Sequence, residues 1–241
     1  MRLEVDTHTH TVLSGHAHST LMENAAAAAK AGLLGMVMSD HGPAIPAAPP
    51  DFNIGTFAYL PHTIDGVKIY HGIEANVMDY EGNIDIREKY LNRLEYVIGG
   101  MHEVIIRSGG KAKDTGALLG ALENKYVDII AHPDNPSYDI DYEALVKKAA
   151  SENKLLEVND HSFEYRHGSV KNAKTFIKLC KRHDVRVAVA SDAHSAWGVG
   201  LHATAIEVLD ELDFPQELIV NATMARFDAY LEERAARIRL T

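Results

Sequence analysis

Seven short apolar or β-branched runs recur along this chain, most of them separated by stretches of helical periodicity. They lie at 2–5 (RLEV), 35–39 (GMVMS), 68–74 (KIYHGIE), 95–100 (EYVIGG), 127–131 (VDIIA), 154–158 (KLLEV) and 185–191 (VRVAVAS). Parallel strands need a crossover long enough to hold a helix, so this alternation predicts βα units on a parallel sheet. The stretch 21–32 starts behind Ser19 or Thr20 as N-cap and stops at Gly32. Stretches 115–125, 141–153 and 169–183 follow the same template, and two more helices are expected around 199–212 and 223–239. The prolines of 41–57 predict a loop, and 75–86 predicts a β-hairpin turning at Glu81, Gly82 and Asn83. Without an internal repeat, a linker or a composition break, residues 1–241 read as one α/β domain, a length that suits a single barrel.

In a parallel barrel the C-terminal ends of all strands meet at one face, where active sites are built. The chain has 14 histidines, far more than packing requires, and many fall at those ends. His8 and His10 follow the first run and, two residues apart on extended chain, point the same way. His41 follows the second run, Glu74 closes the third, His102 follows the fourth, and His132 closes the fifth. Asp192 and His194 close the seventh, while the sixth ends in the weaker ligands Asn159 and Asp160. So many imidazoles and carboxylates at one mouth are too polar for a packed core. They also exceed the three or four ligands of a mononuclear zinc site, so a cluster of two or three divalent ions is expected. His62, His71, His183 and His202 lie away from the strand ends and read as structural. His18, His161 and His167 lie in loops bordering the same face.

The formal net charge of -10, with no basic run, argues against a long nucleic acid as partner. A small anionic substrate remains compatible where bound cations reverse the local sign. Cys180, the only cysteine, sits in the helical pattern Val170, Ala173, Phe176, Ile177 and reads as a buried structural thiol. The chain has no pair for a disulfide, no apolar signal region at its start and no run of membrane length. A cytoplasmic protein with no membrane partner is expected.

The stretches DTHTHTVLSGHAHST, SDHGP, GIEAN, GGMHE, AHPDNP and SDAH, in this order, resemble the PHP (polymerase and histidinol phosphatase) family, and most the stand-alone bacterial YcdX-type phosphatases. The resemblance runs from Met1 through the C-terminal helices. It implies a distorted (β/α)7 barrel, three divalent metal ions and hydrolysis of phosphate esters. Carried across residue by residue, it implies His8, His10, Glu74 and Asp192 on the first ion. Glu74, bridging, with His102 and His132 would hold the second, and His16, His41 and His194 the third. Zinc is the first expectation, with manganese or iron as alternatives.

Two ions bridged by Glu74 could share a water and supply hydroxide near neutral pH, so no serine or cysteine nucleophile is needed. Asp192 could take the attacking water's proton, and His194 or a metal-bound water could serve the leaving group. Among the basic residues of 107–113 and 164–169, Lys111 and Arg166 match basic residues of the similar phosphatases and are the candidate substrate clamps. The reading is a phosphomonoesterase acting on a small phosphorylated molecule. A histidinol-phosphatase-like enzyme, a phosphodiesterase or exonuclease, and a non-catalytic metal-binding scaffold are the alternatives. Scaffold versions of the domain typically lose ligands, and none is missing here. A homo-oligomer, in particular a trimer, is implied by the resemblance alone.

Overall fold

A computed structural model describes residues 1–240. Its parallel strands are β1 (Val5–Thr9), β2 (Gly35–Met38), β4 (Val67–Asn76), β5 (Tyr96–Gly100), β6 (Ile129–Ile130), β7 (Leu155–Asn159) and β8 (Val187–Ala190). They pair in the order β1-β2-β4-β5-β6-β7-β8, and the short β3 (Thr63–Ile64) runs antiparallel on β4. The seven parallel strands form a nearly closed, distorted barrel, as the alternation of runs predicts. Among the described residues, no helix is long and apolar enough to cross a membrane.

Among the described residues, eight helices connect or flank the strands: α1 (Leu21–Ala31), α2 (Glu88–Leu91), α3 (Lys111–Glu123), α4 (Tyr142–Ser151), α5 (Asp160–Tyr165), α6 (Ser169–Arg182), α7 (Ala203–Glu211) and α8 (Met224–Leu240). Thr20 and Glu23 form a reciprocal capping box on α1, and Gly32 ends it in the left-handed region. Asp141 caps α4 through the Ala144 N–H. Helix α3 begins four residues earlier than its periodicity indicates, and α2 and α5 are too short to leave a periodic signature. The 41–57 segment is only partly loop, because Asp51–Tyr59 winds into 3-10 turns. The expected hairpin is reduced to a bridge between Val77 and Ile84, with Asp79 accepting N–H bonds from Glu81 and Asn83 in the turn.

Two apolar layers follow from strand alternation. Outward residues such as Ile69, Ile73, Val97, Leu156 and Val158 pack under the helices. Inward residues Val37, Tyr70, Tyr96, Ile98 and Leu155 fill the barrel, whose floor is Phe227 and Tyr230 of α8. Cys180 is fully buried in α6, and burial pushes its thiol pKa up, which fits a packing role.

The ends of the sheet meet through side chains more than through a ladder. Apart from the bridge between Thr9 and Ala193, Asn221 does much of the joining. Its Nδ2 donates to the carbonyls of Val5 and Val189, and its Oδ1 accepts from the Val189 N–H. Asp6 adds bonds from Ser191 N–H and Gly200 N–H, with His202 alongside at 3.4 Å.

Candidate metal centre

The first strand covers 5–9, not 2–5, so His8 lies within it and His10 directly follows. Val5 faces the barrel interior, and regular alternation would turn His8 and His10 away from it. A register shift between Asp6 and Thr9 reverses the parity and aims both imidazoles inward. Glu74 lies two residues before the end of β4, and His41 pairs with it in an isolated bridge. His132 (φ 30°) and Asp192 (φ 52°) leave β6 and β8 in the left-handed region, where non-glycine residues are uncommon and strain collects at functional sites.

The structure brings His8, His10, His16, His41, Glu74, His102, His132, Asp192 and His194 into one cluster. Glu74 is its hub: Oε1 lies 3.1 Å from both His102 Nε2 and His132 Nε2. Its Oε2 lies 2.8 Å from His41 Nδ1 and 3.3 Å from His8 Nε2. Gly100 makes room for the carboxylate, because a Cβ there would stand 2.5 Å from Oε1.

Proton positions can be worked out from the outer ends of the rings. His8 Nδ1 is 2.7 Å from the buried Glu157 carboxylate, which can only accept, so His8 Nε2 holds the lone pair when the ring is neutral. The Ser14 hydroxyl donates to Asp40 and therefore accepts from His10 Nδ1, leaving the His10 Nε2 lone pair free. These two Nε2 atoms face each other at 2.9 Å. His16 Nδ1 donates to the Ser14 carbonyl and His194 Nδ1 to the Asp192 carbonyl, yet their Nε2 atoms also meet, at 3.0 Å. Asn76 gives its amide N–H groups to Gly42 and Asp85, so its oxygen accepts from His102 Nδ1. His102 Nε2 is then a lone pair facing the Glu74 carboxylate. His41 Nδ1 and Glu74 Oε2, both buried, touch without hydrogen-bond geometry.

With the rings neutral, acceptors therefore confront acceptors at these contacts, an arrangement that cations between them would satisfy. Burial disfavours a charged Glu74, but the imidazoles of His41, His102 and His8 outweigh it and hold the carboxyl well below its usual range. Burial likewise opposes charge on His8, yet Glu157, Asp192 and Glu74 raise its pKa well above the usual value. Burial, with His41 and His194 nearby, keeps His10 neutral and able to ligate. His8, His10 and Glu74 form one close ligand group, as the resemblance implies for the first ion. His41 belongs to two others, with Glu74 and His102 and with His10 and His194, so the second and third sets share it in this geometry.

Arg166, which directly follows α5, stands over the cluster. Its Nη1 donates to Ser162 Oγ at 2.7 Å and its Nη2 is 3.5 Å from Asp192. With His16, His41, His102 and His132 it lines an open cavity of about 450 Å³. Lys111 instead opens α3 as an exposed residue and does not line this cavity. His161 stacks between Tyr165 and His194, and with Trp197 it borders an adjoining cleft that also takes in His18. Strand-end placement misses Glu157, which orients the His8 ring, and Asp40, which orients the His10 ring through Ser14. A charged residue at an inward position of the apolar run KLLEV is the signal that points to Glu157.

Comparisons with known proteins point to one family. The PHP domain profile matches residues 6–207. A protein named "Probable phosphatase" from Acetivibrio thermocellus is 41% identical over 239 residues, covering 99% of each chain. Another from Caldanaerobacter subterraneus subsp. tengcongensis is 42% identical over 240 residues, covering 99% of this chain and 94% of that one. Among solved structures, the histidinol phosphate phosphatase of Lactococcus lactis, complexed with zinc, L-histidinol and phosphate, superposes with a TM-score of 0.59 at 15% identity. That match covers 89% of this chain and 95% of the other, and at such identity it speaks for the fold. On the profile match and the two full-length relatives, this chain belongs to the PHP domain family.

Proposed function

We propose that the chain is a metal-dependent phosphomonoesterase acting on a small phosphorylated molecule, with three divalent ions, zinc first among them, held by the nine clustered ligands. The observation that carries this reading is that, with the rings neutral, lone pairs face each other at His16 and His194 and at His102 and Glu74, as they do at His8 and His10. Divalent ions in such a nest neutralise phosphoryl charge and lower the pKa of water, the two requirements of phosphate-ester hydrolysis.

The protein's own groups do the rest. Arg166 is positioned to take a phosphate oxygen, since its guanidinium is fixed by Ser162 and overhangs the cluster. Asp192 turns Oδ1 toward His10 at 3.2 Å, while Oδ2 accepts from Asn159, so its carboxylate is oriented to receive a proton from attacking water. His194 gives Nδ1–H to the Asp192 carbonyl and Nε2 to the proposed third ion, so the leaving oxygen would take its proton from water. The organic part of the substrate would lie along the cleft of His161, Tyr165 and Trp197.

The test pairs elemental analysis with phosphate release from p-nitrophenyl phosphate, on the wild type and on His10→Ala. Three tightly held transition ions, with turnover that the substitution abolishes, are expected. Metal-loaded protein that cleaves diesters but no monoester would move the assignment to a phosphodiesterase. Protein that cannot be loaded with metal would overturn the site itself.

A further inference from the structure

A second imidazole group lies outside the barrel. His71 is three residues before Glu74 on β4, so its side chain faces the opposite side of the sheet from the metal cluster. There it meets Phe57 edge-on, with ring centroids 6.0 Å apart, and His62 in a stack at 4.5 Å. The Glu95 carboxylate completes the group, with Oε2 3.9 Å from His62 Nδ1 and accepting the His71 backbone N–H at 2.8 Å. One donor atom from each of the three residues lies within 4.8 Å of the others.

Two features separate this group from an ordinary surface cluster. His71 is only 5% exposed, and its Nε2 has no hydrogen-bond partner. Burying an unpaired imidazole nitrogen is costly unless something takes its lone pair. The other ligands are half open, with His62 69% and Glu95 36% exposed, so an ion could enter from solvent. Glu95 is already oriented by the β4 backbone, which leaves His62 as the one ligand that must adjust.

We propose that His62, His71 and Glu95 form a separate binding site for one divalent transition-metal ion, with Zn2+ as the fitting class for two imidazoles and a carboxylate. The ion would tie the segment entering β3 to the barrel wall. That segment includes the 3-10 turns whose Ile54 and Phe57, together with His41, line a small cavity at the mouth of the main centre. The site is structural, and water would complete its coordination.

The experiment uses full-length wild type, His62→Ala and Glu95→Gln, each equilibrated with free Zn2+ and analysed for bound metal per chain. The wild type is expected to bind one ion more than either variant, while all three release phosphate from p-nitrophenyl phosphate at the same rate. Anomalous scattering at the zinc edge should place that ion among the three side chains. Equal zinc content in the three proteins would overturn the proposal. Both substituted side chains are at least a third exposed, so the variants should fold, and circular dichroism checks this. His71 is left intact because removing it would open a hole beneath Phe57.

Discussion

Glu157 Oε1 lies 2.7 Å from Nδ1 of His8, and the other oxygen of the same carboxylate accepts the His132 backbone N–H at 2.7 Å. One buried group thus sets the ring of one proposed ligand and the backbone of another. Glu157→Gln keeps the shape but removes the charge that fixes the His8 tautomer. Metal affinity should fall by about 10–100-fold, as such outer partners typically cost. Competition with a calibrated chelator measures it; unchanged affinity would leave Glu157 a packing residue.

Arg166 and Lys111 should separate cleanly. A charge-assisted hydrogen bond to phosphate is worth about 2 kcal/mol, so Arg166→Ala should cost roughly thirtyfold in kcat/KM. Lys111→Ala, at an exposed helix start away from the cavity, should stay within about twofold. Steady-state kinetics on one monoester decide both, and a large Lys111 effect would place the α3 start at the substrate.

At the floor of the barrel, Asp128 accepts from Arg234 Nε and Arg237 Nη2, each at 2.6 Å, and from the Val97 N–H. Asp128→Ala strands a buried Arg234 charge, a loss of about 3–5 kcal/mol. Urea unfolding should show it, while metal content per folded chain stays at the wild-type level because the centre is at the other end of the barrel.

Lys154 gives a pH signature. Burial, aided by the Arg237 charge, lowers its pKa to about 8. Below pH 8 it is charged in both folded and unfolded chains, and the burial penalty is fully present. Between pH 8 and about 10.4 the unfolded chain binds the proton and the native chain does not, so stability rises with pH. Compared with Lys154→Met, the wild type should gain about 3 kcal/mol across that window. Tyrosine ionisation affects both proteins alike and cancels in the difference. A flat difference would mean that Lys154 titrates normally.

Most of the sheet was legible because most outward-facing strand residues are apolar and most strands are followed by a helix. The first strand was misplaced by three residues because DTHT reads as polar loop; only the bulge that turns His8 inward makes it strand. Eight of the nine proposed ligands were readable because the strand ends repeat one chemistry, while His16 followed from the family resemblance alone. Glu157 was hidden inside an apolar run and Asp40 between two better candidates. Glu157 acts on a ring nitrogen of His8 and Asp40 on His10 through Ser14, and spacing carries no information about either contact. The 3-10 turns of 51–59 are held by tertiary contacts, including the paired bonds from Arg87 to Asp51, that no local propensity reports.

The joint between β1 and β8 has a consequence for the order of assembly. His8 and His10 come from one side of it, and Asp192 and His194 from the other, nearly the whole chain later. A polypeptide still short of residue 192 lacks Asp192 from the first proposed set and His194 from the third, though the second is already whole. It also lacks Asn221, the stitch between the strands they stand on. Capture of the first and third proposed ions would therefore come late in biosynthesis, and an ion bound across the joint would act as a clasp that closes only once both of its strands are made.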